Sequence, residues 1–144
     1  GRYTELFFLD EATALAAGHR PCAECQRGRY KEFIEYWGAA NAALLGEEKL
    51  RAGAVDAVLQ AERLGLAGGK VTFRARLGSV PVGCFVALDE RPNIAYLVQS
   101  SALLEWRPQG YGPLTSASKQ ADVTVLTPAS IVKTISAGFT PAHA

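Results

Sequence analysis

The sequence predicts an α+β protein: an N-terminal strand, helix, C-x-x-C knuckle and helix, followed by a small antiparallel sheet with a C-terminal helix. Three observations predict it. Tyr30, Phe33, Ile34 and Trp37 recur at helical spacing directly after the Cys22-Ala-Glu-Cys25 turn. Beyond Gly69 the period changes, with Lys70 to Leu77 (KVTFRARL) alternating apolar and polar residues and short apolar runs following it. A last apolar stretch is introduced by Thr127 as N-cap with Pro128 at the first helical position, and stopped by Gly138.

Taken in order, Tyr3 to Leu9 (YTELFFL) is aromatic and apolar and reads as a strand that Asp10 stops. Asp10 is a good N-cap for a short helix through Ala17, with Glu11 at its positive end and Gly18 as a left-handed C-cap. Pro21 forbids continuation, and the amphipathic helix after the knuckle runs to about residue 43. A second helix spans Ala54 to Leu64 on the stripe Val55, Val58 and Leu59. The sheet takes Lys70 to Leu77, Cys84 to Leu88, Ile94 to Val98, Ala102 to Trp106 and Val123 to Leu126. Asp89 to Asn93 is expected as a hairpin loop, and the stretch Pro108 to Lys119 (PQGYGPLTSASK) as a loop because of its Gly, Pro and Ser content. These elements group as a knuckle module over residues 1–45, a connecting helix in 46–69 and a sheet with its helix in 70–144; the alternative is a single domain.

One segment occurs twice. Ala17-Gly18-His19-Arg20-Pro21 is matched by Ala137-Gly138-Phe139-Thr140-Pro141, each after a strand and a helix. A glycine C-cap followed by proline is a common way to stop a helix, and duplication is the other reading. The second copy continues without cysteines, so the stop itself needs no metal.

The chain has 144 residues, long enough to bury a core without disulfides. It is 49% hydrophobic and 20% charged, and no apolar run approaches the roughly 18 residues of a membrane span. Fifteen basic residues against 14 acidic ones leave a net charge of +1, so any attraction to nucleic acid has to be local. Three cysteines, two of them in C-x-x-C, argue against a disulfide framework and for a reducing, cytoplasmic setting. The chain opens at Gly1 and holds no Met, from which we expect further sequence upstream.

Two cysteines separated by two residues in a tight turn can aim both sulfurs at one tetrahedral ion, zinc before others, while backbone amides bond the thiolates. Cys22 and Cys25 are therefore expected as half of a metal site, a pair of unligated thiols being the other reading. His19, three residues before Cys22, is the first candidate for a further ligand, in competition with a hydrogen-bonding role at the helix end. Cys84 lies in an apolar run, where cysteine is ordinarily a small buried hydrophobe, and His143 lies in the tail. Redox chemistry is the lesser reading, because a dithiol of that kind should open a helix after a parallel strand.

The stretch Phe7 to Arg27, FFLDEATALAAGHRPCAECQR, resembles the second half of the zinc-binding domain of Ada-type DNA methyl-phosphotriester repair proteins. There a strand, a short helix, an A-G-x-R-P-C turn and a C-x-x-C recur, four cysteines hold zinc and one of them accepts the methyl group. The resemblance implies that Cys22 and Cys25 are the second ligand pair; the first pair, with the acceptor, has no counterpart here, so the repair chemistry is not implied. Over its whole length the chain also resembles an uncharacterised bacterial family marked by the GRYTELFFLDEATALAAGHRPCAEC opening, FVALDERPN, the GYG loop and VLTPAS. Its members carry a longer N-terminus, and the resemblance implies a fold unit and a bacterial origin without an activity. Pro21-Cys22-Ala-Glu-Cys25 further fits the P-C-x-x-C half of zinc nucleobase deaminases, but the H-x-E that completes their site does not precede Pro21.

Arg20, Arg27, Arg29 and Lys31 cluster around the cysteines, partly offset by Glu24 and Glu32, with Tyr30 and Trp37 nearby. They form either a phosphate-binding patch for DNA or RNA or a solvated helix face whose aromatics are core. Tyr111, between two glycines, is the candidate ligand-stacking residue of the 108–119 loop. The expected function is a noncatalytic, zinc-stabilised binding module with nucleic acid as first partner. The alternative is an enzyme with its site between knuckle and sheet, using Tyr111 or Glu24.

Overall fold

In a computed structural model, which describes residues 10–64 and 71–143, Asp10 opens helix α1 (Glu11–Ala16) with a reciprocal cap. Its carboxylate accepts the Thr13 N–H at 2.8 Å, and Thr13 Oγ1 accepts the Asp10 N–H at 3.0 Å, so amides that the first turn leaves without partners are satisfied. The strand expected over residues 3–9 lies outside the described residues. At the other end Gly18 adopts φ 88°; its N–H donates to Leu15 O and that of His19 to Ala14 O, both at 2.9 Å. Helix α4 (Ala129–Ala137) stops in the same way at Gly138, φ 136°, with N–H bonds from Gly138 to Ile135 O at 3.0 Å and from Phe139 to Thr134 O at 3.3 Å. The repeated A-G-x-x-P segment is thus one helix stop made twice.

Helix α2 (Arg27–Asn41) buries Phe33 and Trp37 on the face that their spacing predicts, and a 3-10 turn over Ala42–Leu45 extends it. Helix α3 (Ala52–Leu64) buries Ala54, Val55 and Leu59. Six strands follow among the described residues: β1 (Phe73–Arg76), β2 (Phe85–Leu88), β3 (Arg91–Val98), β4 (Leu103–Arg107), β5 (Gly110–Thr115) and β6 (Asp122–Val125). They form one antiparallel sheet in the order β1-β6-β2-β3-β4-β5, a meander from β2 to β5 whose chain then returns to insert β6 between β1 and β2. The molecule is α+β, as the change of period predicts.

The continuous apolar run at Phe85 to Leu88 reflects a sheet buried on both faces. Val86, Leu88, Tyr96, Val98, Val123 and Val125 pack with Phe33, Trp37, Val55, Leu59, Ile131 and Phe139. Phe85, Ala87, Ala95, Leu97 and Leu126 cluster instead with Ala12 and Ala16 of α1. The first core draws on residues from each of the stretches 1–45, 46–69 and 70–144. Between α2 and α4, Asn41 Nδ2 donates to Ser130 O at 3.0 Å and Trp37 Nε1 to Ser130 Oγ at 3.2 Å, which fixes the register of the two helices.

Three expectations need correction. The 108–119 stretch contains strand β5, paired so that Trp106 faces Tyr111 and Arg107 faces Gly110. Its Gly and Pro content is compatible with a strand because among the described residues β5 is the last strand of the sheet, where Pro113 need not serve a second neighbour, and Gly110 at φ 137° closes the hairpin opposite Arg107. The 89–93 loop shrinks to Asp89 and Glu90, since β3 already begins at Arg91 opposite Leu88. Thr127 does not cap α4: its Oγ1 accepts the Phe85 N–H at 2.9 Å, and Pro128 is the N-cap residue. The cap comes from α3, where the Glu62 carboxylate accepts the Ser130 N–H at 2.9 Å and its hydroxyl at 2.6 Å.

Candidate functional site

The glycine stop of α1 turns the chain through Arg20 and the buried Pro21 into a tight turn over residues 23–26, which runs straight into α2. Cys22 O accepts the Gln26 N–H at 3.0 Å, so the turn is held as one helical step. That step brings the sulfurs together. The Cys25 thiol donates to Cys22 Sγ at 2.6 Å, and the Cys25 N–H donates to the same sulfur at 3.3 Å. Both cysteines are free; Cys22 is half-buried and Cys25 exposed. The thiol donated by Cys25, and then the backbone amides of Cys25 and Glu24, hold the Cys22 pKa below its ordinary value. Cys25 moves the other way, because ionising it removes the proton shared with Cys22.

Among the described residues no group of three or more His, Cys, Asp or Glu side chains is placed to hold a metal ion. His19 therefore does not join the two cysteines. It is exposed, on the wall of a cleft of about 340 Å³ that it shares with Gly18, Arg20, Asp56, Gln60 and Arg63. The positive φ of Gly18 sends the chain towards α3 before it reaches Cys22. Cys84 is fully buried, and desolvation pushes its thiol up to about 12, so it is the inert hydrophobe its apolar run suggests.

The four predicted basic residues are divided. Arg20 donates through Nε and Nη2 to the two Asp56 oxygens, at 2.7 and 3.0 Å, and through Nη1 to Pro21 O at 2.9 Å, with its guanidinium 5.2 Å from the Tyr30 ring centre. Arg29 makes a two-point pair with Glu11, bonds Glu32 at 2.8 Å and Thr140 O at 2.9 Å, and lies 4.2 Å from the Phe139 ring centre. It binds the second stop to α1, a clamp that Glu11 completes by accepting the Ala142 N–H at 2.9 Å. Arg27 and Lys31 are exposed, and neither has an ion-pair partner among the described residues. Trp37 is fully buried and closed to any base.

Tyr111 is not on a loop. From β5 its Oη donates to Asp10 Oδ2 at 2.7 Å, its ring stacks on Phe85 with centres 6.4 Å apart, and His143 meets it edge-on at 6.1 Å. Burial, then the hydrogen bond and charge of Asp10, raise its pKa well above the ordinary range, so it is a neutral tie between the sheet edge and the α1 cap. Glu24 enters the site through its backbone amide. Residues absent from the sequence prediction are Asp56, Gln60 and Arg63. Their i, i+4, i+7 spacing puts them on one face of α3, a signal that the neighbouring apolar stripe overshadowed.

The fold and the site define an α+β protein with an open C-x-x-C turn at the start of a helix. No family model, curated protein or solved structure matches the chain. Among the described residues no helix is long and apolar enough to cross a membrane.

Proposed function

We propose that Cys22 and Cys25 bind a thiophilic divalent metal, zinc first, as half of a tetrahedral site in a noncatalytic binding module, with DNA or RNA as the partner to test first. The observation that carries this reading is the convergence of two accessible sulfurs on one turn, with the Cys25 amide aimed at Cys22 Sγ. A tetrahedral ion takes two more donors, from a second copy of the chain, from residues outside those described, or from water. Zinc would fix the knuckle and with it the start of α2, from which Arg27 and Lys31 face solvent one helical turn apart.

Equilibrium zinc titration of the reduced chain tests the metal claim. Binding at one ion per chain, or one per two chains, that is lost in Cys22→Ser and Cys25→Ser supports it; affinity unchanged by both substitutions overturns it. For the partner, salt-dependent binding of a short oligonucleotide is expected to weaken in the Arg27→Ala/Lys31→Ala variant, with the salt slope reduced by about two. An unchanged slope removes α2 from any nucleic-acid interface.

A second reading is favoured by the asymmetry of the thiols and by their place at the N-terminus of α2. A lowered Cys22 and a raised Cys25 suit thiol–disulfide exchange, in which the Cys22 thiolate attacks a disulfide and Cys25 displaces the mixed intermediate. Zinc protection separates the two: a metal knuckle loses its reactivity towards oxidised glutathione when loaded, whereas a redox pair reacts equally with and without added zinc.

A further inference from the structure

We infer that the cleft between the glycine stop of α1 and the polar face of α3 is a phosphate-binding site anchored by Arg63. Its charges are unequal. The two Asp56 oxygens are taken by Arg20, while Arg63 donates from Nη1 to Gly18 O at 3.0 Å and from Nη2 to Gln60 Oε1 and makes no ion pair among the described residues, although Asp56 lines the same cleft. An arginine has five N–H donors, so Arg63 retains three, and Arg20 two beyond those given to Asp56 and Pro21. Donors left over on two planar forks, beside the exposed His19, match a group with several oxygens around one centre.

The cleft is built around this arginine. Gly18 at φ 88° is disfavoured for any side chain, and a Cβ there would overlap Arg63 Cγ and Cδ. The same glycine therefore stops α1 and admits the Arg63 stem, which delivers the guanidinium to the carbonyl exposed by that stop. At about 340 Å³ the cleft exceeds a bare phosphate and leaves room for an attached organic group.

The source of the phosphate is either a free phosphate or monoester, or the backbone of a nucleic acid; calorimetric titration of the full chain with inorganic phosphate, with a short single-stranded DNA and with succinate distinguishes them. Binding of phosphate indicates the first source, binding of DNA without phosphate the second, and either supports the site. Arg63→Ala and Arg63→Lys are both expected to weaken that binding about tenfold or more. Arg63→Lys keeps the stem against Gly18 and the charge, so it tests the fork even if Arg63→Ala disturbs folding. Arg76→Ala, on the edge strand β1, removes the same charge elsewhere and is expected to leave affinity within about twofold. The inference is overturned if neither phosphate nor DNA binds, if succinate binds as tightly, or if Arg63→Lys and Arg76→Ala behave alike.

Discussion

The two A-G-x-x-P stops share a backbone and a buried proline and differ in the two residues between glycine and proline. At the first, the residues after glycine are His19 and Arg20; the chain stays at the surface, one wall of a polar cleft, and leads into the open Cys22–Cys25 turn. At the second they are Phe139 and Thr140. Phe139 is fully buried, edge-on to Phe33 with ring centres 5.3 Å apart, Thr140 O is held by Arg29, and a Cβ on Gly83 would lie 2.8 Å from Pro141. Identical helix ends therefore serve opposite purposes, and the two variable positions decide which. An apolar residue after the glycine makes the stop part of the core, whereas polar ones leave it at the surface.

The largest test of that contrast is Phe139→Ala, which removes a fully buried ring from the second stop and is expected to cost about 3–5 kcal/mol in denaturant unfolding. His19→Ala, at the matching position of the first stop, is expected to cost less than about 1 kcal/mol. Equal losses would break the comparison.

The arginines beside each stop form a second pair. Arg29 joins Glu11, whose side chain is 11% exposed, whereas Arg20 joins Asp56 at 49%. Arg29→Ala is expected to lose about 1.5–3 kcal/mol, and Arg20→Ala about 1 kcal/mol or less, because water screens its partner. A larger loss at Arg20 would place the structural weight on the wrong side.

Cys84, next to Gly83 and so close to the second stop, supplies a pH test. Burial raises its thiol from about 9.0 to about 12, so above pH 9 the unfolded chain releases a proton that the folded chain retains. Stability contributed by the neutral thiol is full below pH 9 and falls by about 1.4 kcal/mol per unit between pH 9 and 12. The Cys84→Ala variant is expected to lack that part of the slope. The half-buried Cys22, lowered instead, is expected to alkylate in the folded protein at a pH below that required by an ordinary thiol.

What could be read from sequence follows the range of the interactions. The α1 cap at Asp10, the apolar face of α2 and the glycine stops depend on residues three or four apart, and periodicity finds them. The convergence of Cys22 and Cys25 is local in the same sense. Edge strand β5 escaped because its composition is that of a loop, and only its pairing with β4 makes it a strand. The cap on α4 escaped because Glu62 lies 68 residues from Ser130. The expected basic patch was divided by partners 36 residues away, for Arg20, and 18 away, for Arg29. Tyr111, taken for a ligand-facing residue between glycines, is tied to Asp10 across 101 residues. The cleft required α3 and the first stop to meet, which no local pattern reports.

Cobalt substitution shows whether the two thiols at the first stop bind one metal ion together. Reduced chain loaded with cobalt(II) is predicted to show thiolate-to-cobalt charge-transfer absorption that corresponds to two thiolates per chain, reduced in each single variant, Cys22→Ser or Cys25→Ser, and absent in the double variant. A cobalt complex without that absorption, or one whose absorption survives in the double variant, would rule out shared ligation by Cys22 and Cys25.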